Sequence, residues 1–229
     1  MQIDYLQIGK GRLGRLIAAQ VEKQINASIQ WGRLSHEDGI QLGQSKNTNI
    51  TINKLVICIS PTENSNWNWN NIFYGLKKQH QLGKIEINQL VLVSSTRVYD
   101  GIDKGLIDAA TPPTPISEKA KALFTAEQEA MSIAKYHHII RATGLYGQGY
   151  SKYKKILTTS SNHEKFRFGV DISQVAKEVS ELLFQLHCQN SMSLLTDNYA
   201  YQNGEVFSYE QAEKYSHSKR ILKNSRFYY

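Results

Sequence analysis

Three glycines, in Gly9-Lys10-Gly11-Arg12-Leu13-Gly14, are the residues whose type and spacing most directly imply chemistry. Residues 2–8 before them read as a strand. Residues 12–25 after them read as a helix, with Leu13, Leu16, Ile17, Val21 and Ile25 on one face. In that setting the first glycine permits a tight turn and the second lets backbone meet a pyrophosphate. The third allows close helix–strand packing, and the phosphate lies at the positive end of the helix. The strand–loop–helix placement favours dinucleotide binding over a glycine-rich turn without function.

The next chemical question is what reads the ribose. Sites for the bare 2′-hydroxyl carry Asp or Glu about 20 residues further on. Here a second strand over residues 28–33 ends in Trp31-Gly32-Arg33, and no carboxylate appears until Glu37. An arginine suits a 2′-phosphate through charge-assisted, bidentate hydrogen bonds, and Arg12 adds to the same positive pocket. The expected cofactor is NADP, with NAD as the alternative. Ile59, Ser60 and Ser94, at the ends of two apolar runs, complete the expected cofactor contacts.

Other reactive side chains carry less. His137 and His138 are neighbours on a strand, so they face opposite ways and cannot share a metal. His187-Cys188 lacks partner ligands at zinc spacing, and no metal is expected. Trp67 and Trp69 read as packing residues. Cys58, inside Leu55-Val56-Ile57-Cys58-Ile59, reads as a small hydrophobe.

The elements that must position these residues alternate between apolar strands and amphipathic helices, the pattern of a parallel α/β sheet. After residues 34–50, which are polar and irregular, come the run 55–59 and a helix ending near His80. A strand follows at 89–94, and Thr111-Pro112-Pro113-Thr114-Pro115 ends a loop before a helix over 116–135. Residues 138–142 form the next strand. Beyond 150 the pattern weakens to helices at 172–187 and 208–215 and a strand near 192–196. The predicted architecture is one Rossmann-type α/β domain over 1–229, in which residues from about 150 form mainly a cap on the substrate side.

At 229 residues such a chain buries enough surface to need no disulfide or metal. Two cysteines, no leader pattern and no apolar membrane run imply a reducing, cytoplasmic setting, where the sequons at Asn26 and Asn49 have no meaning. The net charge of +7 is scattered, apart from a modest group at Lys214, Lys219, Arg220, Lys223 and Arg226. Nucleic acid would need a concentrated basic face, so a phosphorylated cofactor or substrate is the more economical partner.

Beyond the glycine loop, Val91-Leu92-Val93-Ser94-Ser95-Thr96-Arg97-Val98-Tyr99 resembles a motif of the extended short-chain dehydrogenase/reductases, the NAD-dependent epimerase/dehydratase family. In order follow the Pro-rich loop, a helix carrying Ala126-Glu127, and Ile139-Ile140-Arg141-Ala142-Thr143-Gly144-Leu145-Tyr146-Gly147. Val170-Asp171-Ile172 falls where the family has Val-Asp-Asp, and Ser218-Lys219-Arg220-Ile221-Leu222-Lys223-Asn224 resembles a segment near the end of some members. The resemblance implies hydride transfer at an alcohol carbon of a small hydroxylated metabolite or nucleotide sugar, by a monomer or homodimer. Ser95 matches the family's substrate-holding serine or threonine. The family's tyrosine, whose pKa near 10 a lysine four residues later lowers, falls on Lys119, and that lysine on Leu123. None of the Tyr-x-x-x-Lys spacings lies between residues 100 and 135, and the one at Tyr150 to Lys154 follows the wrong strand. Lys119 and Tyr99 are the substitute acid–base candidates, and a cofactor-binding sensor without turnover is the alternative.

Overall fold

The computed structural model describes residues 1–25, 31–35, 49–59, 69–147, 165–186, 189–202 and 205–229. Ser60, Glu37, Trp67, the Tyr150–Lys154 segment, His187 and Cys188 lie outside the described residues, as does most of the irregular 34–50 stretch.

A seven-stranded sheet forms the centre, in the order β2 (Trp31–Leu34), β1 (Gln2–Ile8), β3 (Ile50–Ile57), β4 (Ile85–Ser95), β6 (Ala134–Ala142), β9 (Ser191–Leu195), β13 (Ser225–Tyr228). All neighbours are parallel except the antiparallel β9–β13 pair. This is the Rossmann-type α/β sheet that the alternating elements predicted. The chain leaves β1 for β2 on one side and returns to β3 on the other. That reversal opens a crevice beyond the carboxyl ends of β1 and β3.

Helix α1 (Arg12–Glu22) packs with α4 (Ile172–Phe184) on one face, over Tyr5, Val56, Val91 and Ile140. On the other face α2 (Trp69–Gln81) packs with α3 (Glu118–Ile133), over Ile57, Leu90, Leu92 and Ile139. Each fully buried aliphatic side chain contributes about 1.5–3 kcal/mol. Helix α3 starts where Ser117, two residues past the last proline, accepts from Ala120 N, and α4 where Asp171 accepts from Ser173 N.

Residues beyond 150 divide between two sheets. Strands β9 and β13 belong to the central one. Strands β8 (Arg167–Asp171), β10 (Tyr199–Gln202) and β11 (Glu205–Ser208) form a four-stranded sheet with β7 (Gly144–Tyr146). A third pairing joins β5 (Gly105–Ile107) to β12 (Arg220–Leu222), and α5 (Tyr209–Glu213) is a short capped turn. Among the described residues no helix is long and apolar enough to cross a membrane, and no cluster of His, Cys, Asp and Glu could hold a metal ion.

The two histidines of β6 point apart, as their adjacency requires. His137 meets Tyr229 Oη, and His138 lies fully buried between Gln89 Nε2 (3.0 Å) and Ser191 Oγ (2.8 Å). Burial, then His137 and Arg226, push the His138 pKa down to about 4. The unfolded chain takes up this proton near pH 6.5 and the folded chain only near 4. This contribution to stability is therefore whole above about pH 6.5 and is lost as pH falls toward 4. The urea midpoint is expected to fall across that window, and to fall less steeply in His138→Gln. Equal slopes in the two proteins would exclude His138 as the cause.

Candidate cofactor and substrate site

The glycine loop is built from the inside out. Gly9 has φ +124°, a conformation glycine adopts freely, and an added Cβ would lie 2.8 Å from Cys58 O. Its N–H donates to Leu34 O at 2.9 Å, joining the loop to the end of β2. At Gly14 a Cβ would lie 2.2 Å from Gly9 O, so helix and loop touch backbone to backbone. Gly11 differs. It precedes the helix with no side-chain cap, and a Cβ there would meet no atom of the described residues within 4 Å. The fold itself makes no demand for glycine at 11, a position where capping side chains are ordinarily preferred.

Beneath the loop lies a residue that the sequence reading missed. Gln7, fully buried, donates from Nε2 to Gly9 O (2.7 Å) and Gly14 O (2.8 Å) and accepts from Tyr5 Oη (2.7 Å). One amide thus fastens both ends of the turn. The signal available was a glutamine inside an otherwise apolar stretch, two residues before the first glycine.

Arg33 pairs with Gln7 across β1 and β2 and stands beside the same loop. It is half-buried, and its Nε is enclosed with no hydrogen-bond partner among the described residues. A guanidinium N–H in that condition fits an anionic oxygen. Arg12 is exposed at the first turn of α1, which carries no acidic residue, so the positive field there is not offset by a carboxylate on the helix. Leu13 is a core residue under α1, and Ile59 is half-buried against the opposite core.

The remaining predicted residues separate into two groups. Ser94 and Tyr99 belong to a buried network and do not face open space. Ser94 Oγ donates to Glu127 Oε1 (2.6 Å), and Arg141 Nη2 pairs with Glu127 Oε2 (2.7 Å). Arg141 Nη1 donates to Tyr99 Oη (2.6 Å), which donates onward to Asp108 O (3.1 Å). Burial raises the Tyr99 pKa against the pull of Arg141, the opposite of what a general base needs. Ser95, one residue past Ser94 and on the other side of the strand, is partly exposed. Its Oγ caps the turn Thr96–Tyr99 by accepting from Arg97 N (3.3 Å).

Ser95 opens onto a cleft of about 450 Å³ at the carboxyl ends of β4 and β6, closed by β8 and β12. Thr96, Arg97, Asp100, Thr143, Gly144, Phe166, Arg167, Phe168, Arg220 and Leu222 also line it. Lys119, half-buried in the first turn of α3, and Tyr99 do not. Leu123, where the resemblance implied a lysine, is buried in the core. The sequence reading took Arg220 for part of a basic tail. In the structure it lines the cleft, while Arg226 pairs with Glu178 at 2.6 Å.

In sequence the chain matches no family model and no curated protein. Solved structures do resemble it. A putative NAD-dependent epimerase/dehydratase from Methylobacillus flagellatus has a TM-score of 0.64 at 16% identity, over 97% of this chain and 89% of that one. A dTDP-4-dehydrorhamnose reductase ortholog from Clostridium acetobutylicum gives 0.60 at 16%, over 98% and 84%. A human epimerase family protein solved with NADPH gives 0.59 at 13%, over 97% and 82%. At these identities the likeness is one of fold.

Proposed function

We propose that this chain, whose fold is that of the epimerase/dehydratase type of short-chain dehydrogenase/reductase, binds NADP(H) in the β1–β3 crevice. The observation that carries the reading is Gly11, a glycine that the fold does not require, placed where backbone would meet a pyrophosphate. The pyrophosphate would rest on the first turn of α1, with Arg12 beside it. Arg33, whose enclosed Nε has no partner among the described residues, would take the 2′-phosphate. The neighbour solved with NADPH and others solved with NAD support the cofactor class.

When bound, the nicotinamide supplies a hydride donor or acceptor. The chain's part is to hold the substrate oxygen, for which Ser95 is suited, and to move a proton. Tyr99 is not carried forward as the proton donor, because Arg141 and Asp108 occupy its hydroxyl. Lys119 is the candidate that remains from the sequence, and because it does not line the cleft it would serve only a substrate that extends to the first turn of α3, in an oxidoreductase or epimerase acting on a small hydroxylated metabolite. A second reading, a cofactor-binding sensor without turnover, is favoured by Leu123 filling the core at the lysine position.

Calorimetric titration with NADPH and NADH tests the cofactor reading. NADPH is expected to bind more tightly, and Arg33→Ala to weaken it by about 1–3 kcal/mol while leaving NADH unchanged. Equal affinities would overturn the NADP preference. Steady-state rates of Lys119→Met, set against the unmodified protein, separate the two functional readings. A fall of about 10²–10⁴-fold supports an enzyme using Lys119. NADPH binding with no turnover on a broad panel supports the sensor.

A further inference from the structure

Glutamine is a costly residue to place inside β1. Tyr5, Leu6, Gln7 and Ile8 are all buried, and Arg33 and Val56 stand in register with Gln7 on β2 and β3. A leucine would fill such a place without burying an amide. What glutamine adds is two donors, and both go to the glycine loop, to Gly9 O at 2.7 Å and Gly14 O at 2.8 Å.

The consequence for the loop follows from peptide planarity. A trans peptide holds its oxygen and the next N–H on opposite sides. The Ile8–Gly9 peptide obeys this between two strands: its oxygen accepts from Cys58 N (3.0 Å), just past β3, and the Gly9 N–H donates to Leu34 O (2.9 Å) on β2. The next peptide, Gly9–Lys10, has left both strands, and Gln7 takes its oxygen from below. With that carbonyl drawn inward, the Lys10 N–H is turned the other way, to the open side of the turn. Gly14 O belongs to the first turn of α1, so the same amide also sets how that peptide stands relative to the helix. The two carbonyls select the orientation of the amide, since Oε1 in place of Nε2 would face oxygen. The Tyr5 hydroxyl then holds it by donating to Oε1 at 2.7 Å, and burial, which raises the Tyr5 pKa, keeps that proton in place.

We propose that Gln7, held by Tyr5, is a positioning residue for the dinucleotide: it turns the Lys10 N–H toward the pyrophosphate before any cofactor arrives. The role rests on the cofactor reading given above and extends it to a residue outside the glycine motif.

The test is calorimetric titration with NADP⁺, beside circular dichroism and melting curves of each variant. Gln7→Leu keeps the volume and removes both donors. It is expected to fold and to bind NADP⁺ about tenfold or more weakly. Gln7→Glu adds a readout that a purely structural role would not move. Ionised, its carboxylate sets negative oxygen against two carbonyls; protonated, it donates to one of them. The groups around it are Tyr5 on β1, Arg33 on β2 and Cys58 beyond β3, with a smaller influence of Glu22 from α1. At Tyr5 and Cys58 burial outweighs the pull of Arg33. Burial raises the introduced carboxyl in the same way, toward neutrality. The affinity of Gln7→Glu, relative to unmodified protein at the same pH, is therefore expected to rise about tenfold between about pH 8.5 and about pH 5.5. Tyr5→Phe should weaken binding in the same sense as Gln7→Leu, and it decides the case if neither Gln7 variant folds. Unchanged affinity in folded Gln7→Leu, or a Gln7→Glu ratio that does not vary with pH, would overturn the role of Gln7 and leave the cofactor reading standing. Unmodified protein that binds neither NADP⁺ nor NAD⁺ would instead remove the cofactor reading, and this role with it.

Discussion

Arg141→Met is expected to lower the unfolding free energy by about 3–5 kcal/mol, the cost of removing one partner from a buried ion pair. Arg141 and Glu127 are 1% and 0% exposed, so neither has water to fall back on. Arg141 also serves Tyr99 Oη, and Glu127 also accepts from Ser94. The substitution leaves a carboxylate enclosed against an apolar side chain, with Ser94 Oγ still donating to it, and removes the donor to Tyr99 Oη, which keeps its own bond to Asp108 O. For a domain of this size each kcal/mol moves the melting temperature by about 2–4 °C, so the change is measurable by heat as well as by urea. Glu127→Leu combined with Arg141→Met should recover a large part of the loss, because no charge is then stranded. If the double variant is as unstable as the two single losses added together, the pair is not acting as a unit.

The second large effect sets two glycines of one motif against each other. Gly11→Val should fold with unchanged circular dichroism and melting temperature and lose NADPH binding altogether. Its Cβ would meet no described atom within 4 Å and would stand where the pyrophosphate would lie. Gly14→Val should fail earlier, at folding, because even its Cβ would sit 2.2 Å from Gly9 O and 2.9 Å from Gln7 Nε2. A thermal-shift assay with and without NADPH reads both. Undiminished NADPH stabilisation of folded Gly11→Val would remove the dinucleotide assignment from this loop.

The sequence made the sheet legible where both faces are buried. Leu90 to Val93 is an unbroken apolar run and Ile139 to Ala142 is apolar but for the buried Arg141, and they fall inside β4 and β6 respectively. It was less legible where a strand begins half in water. Ile85-Glu86-Ile87-Asn88 and Ala134 to His137 are also strand, but polar residues interrupt them, so both strands start several residues earlier than the apolar runs. The predicted helix at 12–25 stops at Glu22, and the one at 208–215 shrinks to Tyr209–Glu213. Short β5, β7 and β12 take their identity from partners distant in sequence, which no local period reveals.

The site followed the same division. The place of the glycine loop between β1 and α1, and of Arg33 on β2 beside it, could be read because both are local in sequence. Ser94 and Tyr99 could not, since the occupants of their hydroxyls come from α3 and β6. Arg220 looked like one of a modest basic group, and Arg167 drew no reading, until β8 and β12 brought them to one cleft. Spacing along the chain carries no record of such convergence.

Cys58, the residue behind Gly9, gives the loop a chemical quietness. Its Sγ faces Ile8 O (3.6 Å) and Gly9 O (3.8 Å), and burial pushes the thiol up to about 12 against the pull of Arg33. A raised pKa disfavours, at neutral pH, the thiolate that peroxide attacks. An oxygen added to that sulfur would also have to fit against Gly9, where even a methyl group has no room. The turn that would cradle the cofactor is thus backed by a sulfur whose raised pKa disfavours the reactive thiolate.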